Sequence, residues 1–224
     1  VLGIDLGEIV ESRILPSHLR QKDKDDKLGI LDVRVLLNNK EQIDIEIQVT
    51  SSEYWAERTL FYLGKMFVDQ LKPGEDYQKL EKCIHIGMLN FTLFDDEEYY
   101  SRFHFWSDQG RKMYSDKFEI HTLELPKLAK HEYPETELLK WLQFINAETK
   151  EEFEMAAEKS EYIKKAYEDL NRISADEEKR LEYEARERAI RDHQYFSTVY
   201  KETGLREGRK EGLKIGRQEG LQEG

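Results

Sequence analysis

Asp32, Glu46 and Gln48 are the residues of this 224-residue chain whose types and spacing could do chemistry. Two carboxylates at the rim of a β-sheet can hold a hard, oxygen-seeking divalent ion such as Mg²⁺. Asp32 lies in residues 29–35 and Glu46 in residues 43–49, two runs that alternate at period 2 and read as β-strands. In the second run Ile43, Ile45, Ile47 and Val49 share one face, and Asp44, Glu46 and Gln48 share the other. In the first, Asp32 and Arg34 stand opposite Leu31, Val33 and Val35. The link between them, residues 36–42 with Asn38-Asn39 at its centre, is short enough for a hairpin. Pairing the strands would bring Asp32 close to Glu46 and Gln48. Acidic residues on a strand's polar face are often simply solvated, so alternation alone leaves both readings open.

A helix is expected next. Thr50-Ser51-Ser52-Glu53 has the form of a capping box, and Ala56, Leu60, Leu63, Phe67 and Leu71 then recur at helical spacing as a stripe to bury. Arg58, Tyr62 and Lys65 run along a different face, and Pro73-Gly74 ends the helix. Residues 8–15 suit a first strand closed by Pro16, and the charge cluster at 20–27 suits a solvated loop. The mostly apolar residues 83–94 suit a strand through the buried middle of the sheet. Residues 95–98 form a polar turn, and two further strands are expected at 100–106 and 117–125, around the turn residues Asp108-Gln109-Gly110. Phe103, Phe105 and Trp106 could stack on bases, although cross-strand packing is the commoner use of such residues. His85, His104 and His121 lack any Cys/His ligand spacing and read as structural.

Pro134 suits a helix start, with Leu138, Trp141, Leu142 and Ile145 as its apolar stripe. Residues 148–201 contain neither Pro nor Gly and are dominated by charge without a lasting heptad, which predicts one or two long, partly exposed helices. Such an arm gains stability by packing one face, and a second copy of the chain is the most available partner. From Gly204 to Gly224 glycine recurs at every fourth place. This segment reads either as a frayed tail, because glycine weakens helices, or as a helix offering a groove to another. The expected organisation is therefore a core at 1–145, a helical arm at 146–203 and a glycine-ladder tail at 204–224.

Net charge is −12, and residues 1–145 alone hold 19 Lys/Arg against 27 Asp/Glu. That argues against a protein that coats nucleic acid without specificity, so any DNA contact must be local or assisted by a metal. The single cysteine, Cys83, rules out an internal disulfide and fits a reducing, cytoplasmic compartment. No stretch has the ~20 apolar residues needed to span a bilayer, and no signal peptide is visible. No serine-nucleophile, phosphate-loop or paired-cysteine motif is present either.

Ile30-Leu31-Asp32 followed by Ile45-Glu46-Ile47-Gln48 resembles the core of the PD-(D/E)XK nuclease superfamily. More narrowly it resembles the bacterial recombination-promoting nuclease/transposase-like family: a leucine-aspartate strand, an apolar-Glu-x-Gln strand, then a helix carrying Arg and Tyr four apart, here Arg58 and Tyr62. The likeness continues through Gly74-Glu75-Asp76-Tyr77, residues 83–94 and Leu123-Glu124-Leu125-Pro126-Lys127 to the glycine ladder. It implies an α/β fold, with a mixed central β-sheet flanked by helices (a restriction-endonuclease-like core) and a C-terminal helical arm. It also implies a further helical segment before Val1, and a Mg²⁺- or Mn²⁺-dependent DNA endonuclease linked to recombination or mobile elements. Asp32 matches the motif aspartate and Glu46 the motif acid, with the Ile47 carbonyl a further metal ligand. Gln48 stands where the superfamily usually has lysine, which leaves Arg58 or Lys65 to supply positive charge. A nuclease fold with lost catalysis, acting as a DNA-binding or oligomeric assembly module, is the alternative.

Overall fold

The computed structural model describes residues 1–4, 6–16, 32–38, 40–175, 204, 206, 208, 209 and 212. The charge cluster at 20–27, the start of the predicted 29–35 strand, the arm beyond 175 and the last three ladder glycines lie outside the described residues. The chain divides into two units, Val1–Ala147 and Glu148–Gly224.

In the first unit six strands form one mixed sheet: β1 (Ser12–Leu15), β2 (Val33–Leu37), β3 (Glu41–Gln48), β4 (Cys83–Leu89), β5 (Tyr100–Trp106) and β6 (Met113–Glu124). Their order across the sheet is β1-β2-β3-β4-β6-β5. The pairs β3/β4 and β4/β6 are parallel and the others antiparallel. Every residue of β4 is buried, as expected of a strand with parallel neighbours on both sides. Helix α1 (Trp55–Val68) makes the crossover from β3 to β4, and α2 (Glu137–Ile145) follows β6. On one face Tyr62, Leu63 and Met66 of α1 pack with Cys83, Phe118 and Ile120. On the other, Ile43, Ile84, Ile86, Met88 and Leu123 pack with Leu142 of α2. This is the expected mixed sheet flanked by helices. Burial pushes the Cys83 thiol up to about 12, which makes it an inert core residue.

Several boundaries differ from the sequence expectation, each for a local reason. The first strand begins at Ser12 because Leu6–Glu8 forms a 3-10 turn. Asn38 holds that entry segment to the hairpin: its Oδ1 accepts from the amides of Val10 at 2.8 Å and Glu11 at 3.2 Å. Asn38 itself adopts a φ of 50°, a conformation asparagine tolerates well. β4 ends at Leu89, and beyond it the amides of Leu93 and Phe94 donate to Glu124 and leave the sheet ladder. β6 starts four residues early, at Met113, because it pairs with β5 across the Ser107–Lys112 turn.

Helix α1 starts at Trp55 without a side-chain cap, so the Thr50–Glu53 capping box is not used. Its buried residues are Trp55, Thr59, Tyr62, Leu63 and Met66, while Ala56 and Leu60 are exposed. The helix is thus turned by about one residue from the predicted apolar stripe. α2 is capped by Thr136, which accepts from the Leu139 amide at 3.1 Å, so Pro134 precedes the helix. Its buried residues are Leu139, Leu142 and Phe144, so Leu142 alone of the predicted stripe is buried. Phe103, Phe105 and Trp106 of the β5–β6 hairpin do pack on other rings, Phe94, Phe118 and His104 respectively, yet each keeps 40% or more of its surface exposed.

In the second unit α3 (Lys150–Glu158) opens on a capping box of Thr149 and Glu152, and α4 (Glu161–Ala175) follows after a break at Lys159–Ser160. Phe153 and Tyr167 stack at 6.0 Å, and Ala156, Ala157 and Ile163 are buried. Gly204, Gly208 and Gly212 of the ladder are helical.

Glu119 of β6 gathers the other two strand histidines. Its carboxylate lies 3.1 Å from His104 Nε2 and 2.8 Å from His121 Nε2, and it also pairs with Lys82. Tyr100 meets His121 Nδ1 at 2.9 Å. Burial outweighs the attraction of Glu119 and pulls the His121 pKa down to about 4. Between pH 6.5 and about 4 the unfolded chain therefore binds a proton that the folded chain does not, and stability falls as pH falls through that window. Thermal melts across it are expected to show this loss in the wild type and a smaller loss in His121→Gln. Equal slopes would mean that His121 is not the group responsible.

Candidate active site

The β3–β4 register sets the site. Asp44 lies beside His85 and Glu46 beside Gly87, so these side chains share the face covered by α1. The predicted polar face of β3 is therefore not solvated: Asp44 and Glu46 are buried, while Ile47 on the opposite face is 51% exposed. Trp55 closes the site from above, its ring 5.7 Å from that of His85 and 6.3 Å from that of Phe91. Gly87 permits this approach, since a Cβ there would lie 2.6 Å from Trp55 Cζ2. Gly87→Ala is accordingly expected to cost about 1–3 kcal/mol by overpacking. Denaturant melts measure that cost, and a change in Trp55 fluorescence should accompany it. A variant as stable as the wild type would show that Trp55 yields freely.

Asp32 immediately precedes β2, at its site-facing end. The β2–β3 register, in which Val33 faces Ile45, places Asp32 opposite Glu46, and Asp32 Oδ2 accepts from the Ile47 amide at 3.0 Å. Glu46 Oε1 is ion-paired with Arg58, whose guanidinium sits 5.5 Å from the centroid of the Tyr62 ring. Burial raises the Glu46 pKa, Arg58 and His85 oppose the rise, and the neighbouring charges of Asp44 and Asp32 add to it. Asp32, Glu46, Ile47, Arg58 and Tyr62 are thus brought together. Two predicted residues stand apart from them. Gln48 donates through Nε2 to the Thr50 carbonyl at 2.8 Å, and Lys65 lies over the Phe61 ring at 5.9 Å.

By sequence Asp44, on the same face one pleat before Glu46, could serve as an outer or spare metal ligand, and His85 reads as structural. His85 Nδ1 lies 2.7 Å from Asp44 Oδ2, and its Nε2 lies 3.4 Å from Thr59 Oγ1. The available signal was position, because a histidine inside an otherwise apolar buried run needs a polar partner. Asp44 Oδ1 and Glu46 Oε2 are buried without a hydrogen-bond partner among the described residues. Orphaned carboxylate oxygens of this kind fit a divalent cation, which would satisfy both and offset their charge.

A family model described as PD-(D/E)XK nuclease family transposase matches residues 1–199. No curated protein and no solved structure matches the chain.

Proposed function

The chain belongs to the PD-(D/E)XK nuclease family of transposases, and from that membership we propose that it is a divalent-ion-dependent DNA endonuclease acting in recombination or in the movement of mobile elements. The observation that carries this reading is the meeting of Asp32 and Glu46 at one end of paired strands, next to a buried carboxylate oxygen that lacks a partner among the described residues. Asp32 and Glu46, with the Ile47 carbonyl, would hold the ion. When bound, Mg²⁺ or Mn²⁺ supplies Lewis-acid polarisation of a phosphate and a more acidic water.

The chain's own residues do the rest. Arg58 fixes Glu46 through Oε1 and, being partly exposed, leaves positive charge at the mouth of the site for a phosphate oxygen. Tyr62 supports the guanidinium from below. The Gln48 amide nitrogen is tied to Thr50, which leaves its carbonyl oxygen to accept from and orient a water, while the amide brings no charge. Lys65 is assigned no contact with the reacting atoms and adds only to the local positive field. Burial raises the Glu46 pKa, so protons compete with an ion for this carboxylate and binding weakens as pH falls.

The test is incubation of the pure protein with supercoiled plasmid. Relaxed and linear products are expected with Mg²⁺ or Mn²⁺, and neither with excess chelator. Cleavage that survives the chelator, or no cleavage with either ion, would overturn the reading.

We further propose that the second unit serves self-association. Tyr162, Leu170 and Ile173 leave apolar surface exposed on α4. Pairing two arms would set two cutting sites on one duplex, a geometry suited to double-strand breaks. Light scattering is expected to give a multiple of the monomer mass for the full chain, and the monomer mass for a version ending at Ala147. Equal masses per chain across a wide concentration range would refute the assignment.

A further inference from the structure

Next to the Asp32–Glu46 rim the sheet sets two residues outside the Asp32/Glu46 motif, Asp44 and His85, beside Glu46. We propose that Asp44, Glu46 and His85 form an inner cation site that takes a first-row transition ion, Mn²⁺ or Co²⁺, in preference to Mg²⁺. It rests on the function proposed above only in sharing Glu46.

One ligand atom from each of the three residues lies within 4.8 Å of the others, close enough to surround a single ion. All three residues are buried, so solvent does not offset their charge. Arg58 neutralises Glu46 through Oε1, but Glu46 Oε2 and Asp44 Oδ1 meet no donor among the described residues. Two buried carboxylates carrying orphan oxygens are costly unless a cation joins them. His85 is arranged to be a ligand. With its ring proton on Nε2, the Thr59 hydroxyl accepts that proton and the Nδ1 lone pair faces the carboxylates. Ligating histidines take this arrangement, donating their other N–H to an outer partner. Thr59 is buried for the same reason, a hydroxyl on the sheet-facing side of α1 where an apolar residue would otherwise sit.

The donor set also selects the ion. An imidazole nitrogen in the set favours a transition ion over Mg²⁺, Co²⁺ strongly and Mn²⁺ more modestly, whereas Mg²⁺ prefers oxygen and gives up its waters reluctantly. All three donors are buried and Trp55 packs beside His85, which leaves little room for the several waters Mg²⁺ retains. An ion held there is shielded from substrate on its Asp44 and His85 sides. With Arg58 on Oε1, an ion there would satisfy the remaining oxygen of Glu46 and so would fix the carboxylate shared with the rim. The rival arrangement has Nδ1–H donating to Asp44 with no ion bound, and it predicts no nitrogen coordination at all.

The full chain, stripped with a chelator and given one equivalent of Mn²⁺, can be read by pulsed electron paramagnetic resonance. Modulation from a coordinated imidazole ¹⁴N is expected in the wild type and in Asp32→Ala, and is lost in His85→Gln. Competition titration should show Mn²⁺ binding tighter than Mg²⁺ by about tenfold or more, a margin that His85→Gln removes. Bound Mn²⁺ without nitrogen modulation in the wild type, modulation that persists in His85→Gln, or equal affinities would each overturn the proposal. The wild-type spectrum decides even where His85→Gln fails to fold. Wild-type-like cleavage by Asp32→Ala would instead sink the rim assignment and leave the nitrogen signal standing.

Discussion

Asp32→Ala is expected to cut plasmid DNA more slowly than the wild type by a factor on the order of 10³ or more, and Glu46→Gln by a similar factor. The two carboxylates meet across one strand pair, and each is useless to a shared ion without the other. The double variant should therefore be little worse than either single one, because residues that act as a unit are not additive. Asp32 is exposed and gives the fold one hydrogen bond, to the Ile47 amide, so its removal should leave thermal stability nearly unchanged. Glu46→Gln keeps the shape of a buried side chain while removing its charge, so it tests the charge itself. Rates of plasmid cleavage under saturating Mn²⁺, beside melting curves of each protein, measure both halves of the expectation. A well-folded Asp32→Ala protein that cuts at the wild-type rate removes Asp32 from the site.

The pairing that creates this site was legible in the sequence, and the way it is enclosed was not. Period-2 alternation placed Glu46 on β3 and opposite Asp32, and the register agrees. Alternation alone left open whether Asp44 and Glu46 lie on a solvated face, and α1 covers that face. A helix lying over carboxylates turns toward them the groups that suit them, here the buried Thr59 hydroxyl and Trp55 and Tyr62 rings and the half-exposed Arg58 guanidinium. An aliphatic stripe therefore includes the buried Leu63 but also the exposed Ala56 and Leu60, and leaves out Trp55, Thr59 and Tyr62 of the inner face. His85 was lost to the same habit, because its paired positions Asp44 and Ile120 are remote in sequence and Cys/His spacing cannot report them. Thr50 and Glu53 had capping-box spacing, yet the helix begins after both, and the Thr50 carbonyl instead accepts from Gln48. Spacing states which contacts are available. Tertiary contacts decide which are made.

Lys127→Met is expected to destabilise the first unit by about 3 kcal/mol, lowering its melting temperature by roughly 10 °C. The Leu123-Glu124-Leu125-Pro126-Lys127 run supplied only a point of family likeness in the sequence, and its physical content lies in the loop it holds. Pro126 helps turn β6 into the 3-10 helix Leu125–Lys127, which brings Lys127 back onto Glu124. The side chains of Lys127 and Glu124 are only 2% and 1% exposed. Lys127 Nζ donates to Glu124 Oε1 at 3.0 Å, Asp96 Oδ1 at 2.8 Å and the Glu98 carbonyl at 3.0 Å. Glu124 Oε2 accepts from the amides of Leu93 at 2.6 Å and Phe94 at 3.2 Å. Burial pulls the Lys127 pKa down, but Asp96 and Glu124 outweigh it and hold the ammonium charged. Removing that ammonium leaves Glu124 as a buried charge without its counterion, the costly half of a broken pair. Adding Glu124→Gln to Lys127→Met should recover part of the loss, because the amide buries no charge and can still accept one backbone N–H. Residues 90–98 are tied to the sheet by these contacts, and Phe91 within them packs edge-on against Trp55. Amide exchange at Leu93 and Phe94 should therefore accelerate in Lys127→Met. A Lys127→Met protein that melts with the wild type would show that this ammonium does not stabilise the first unit.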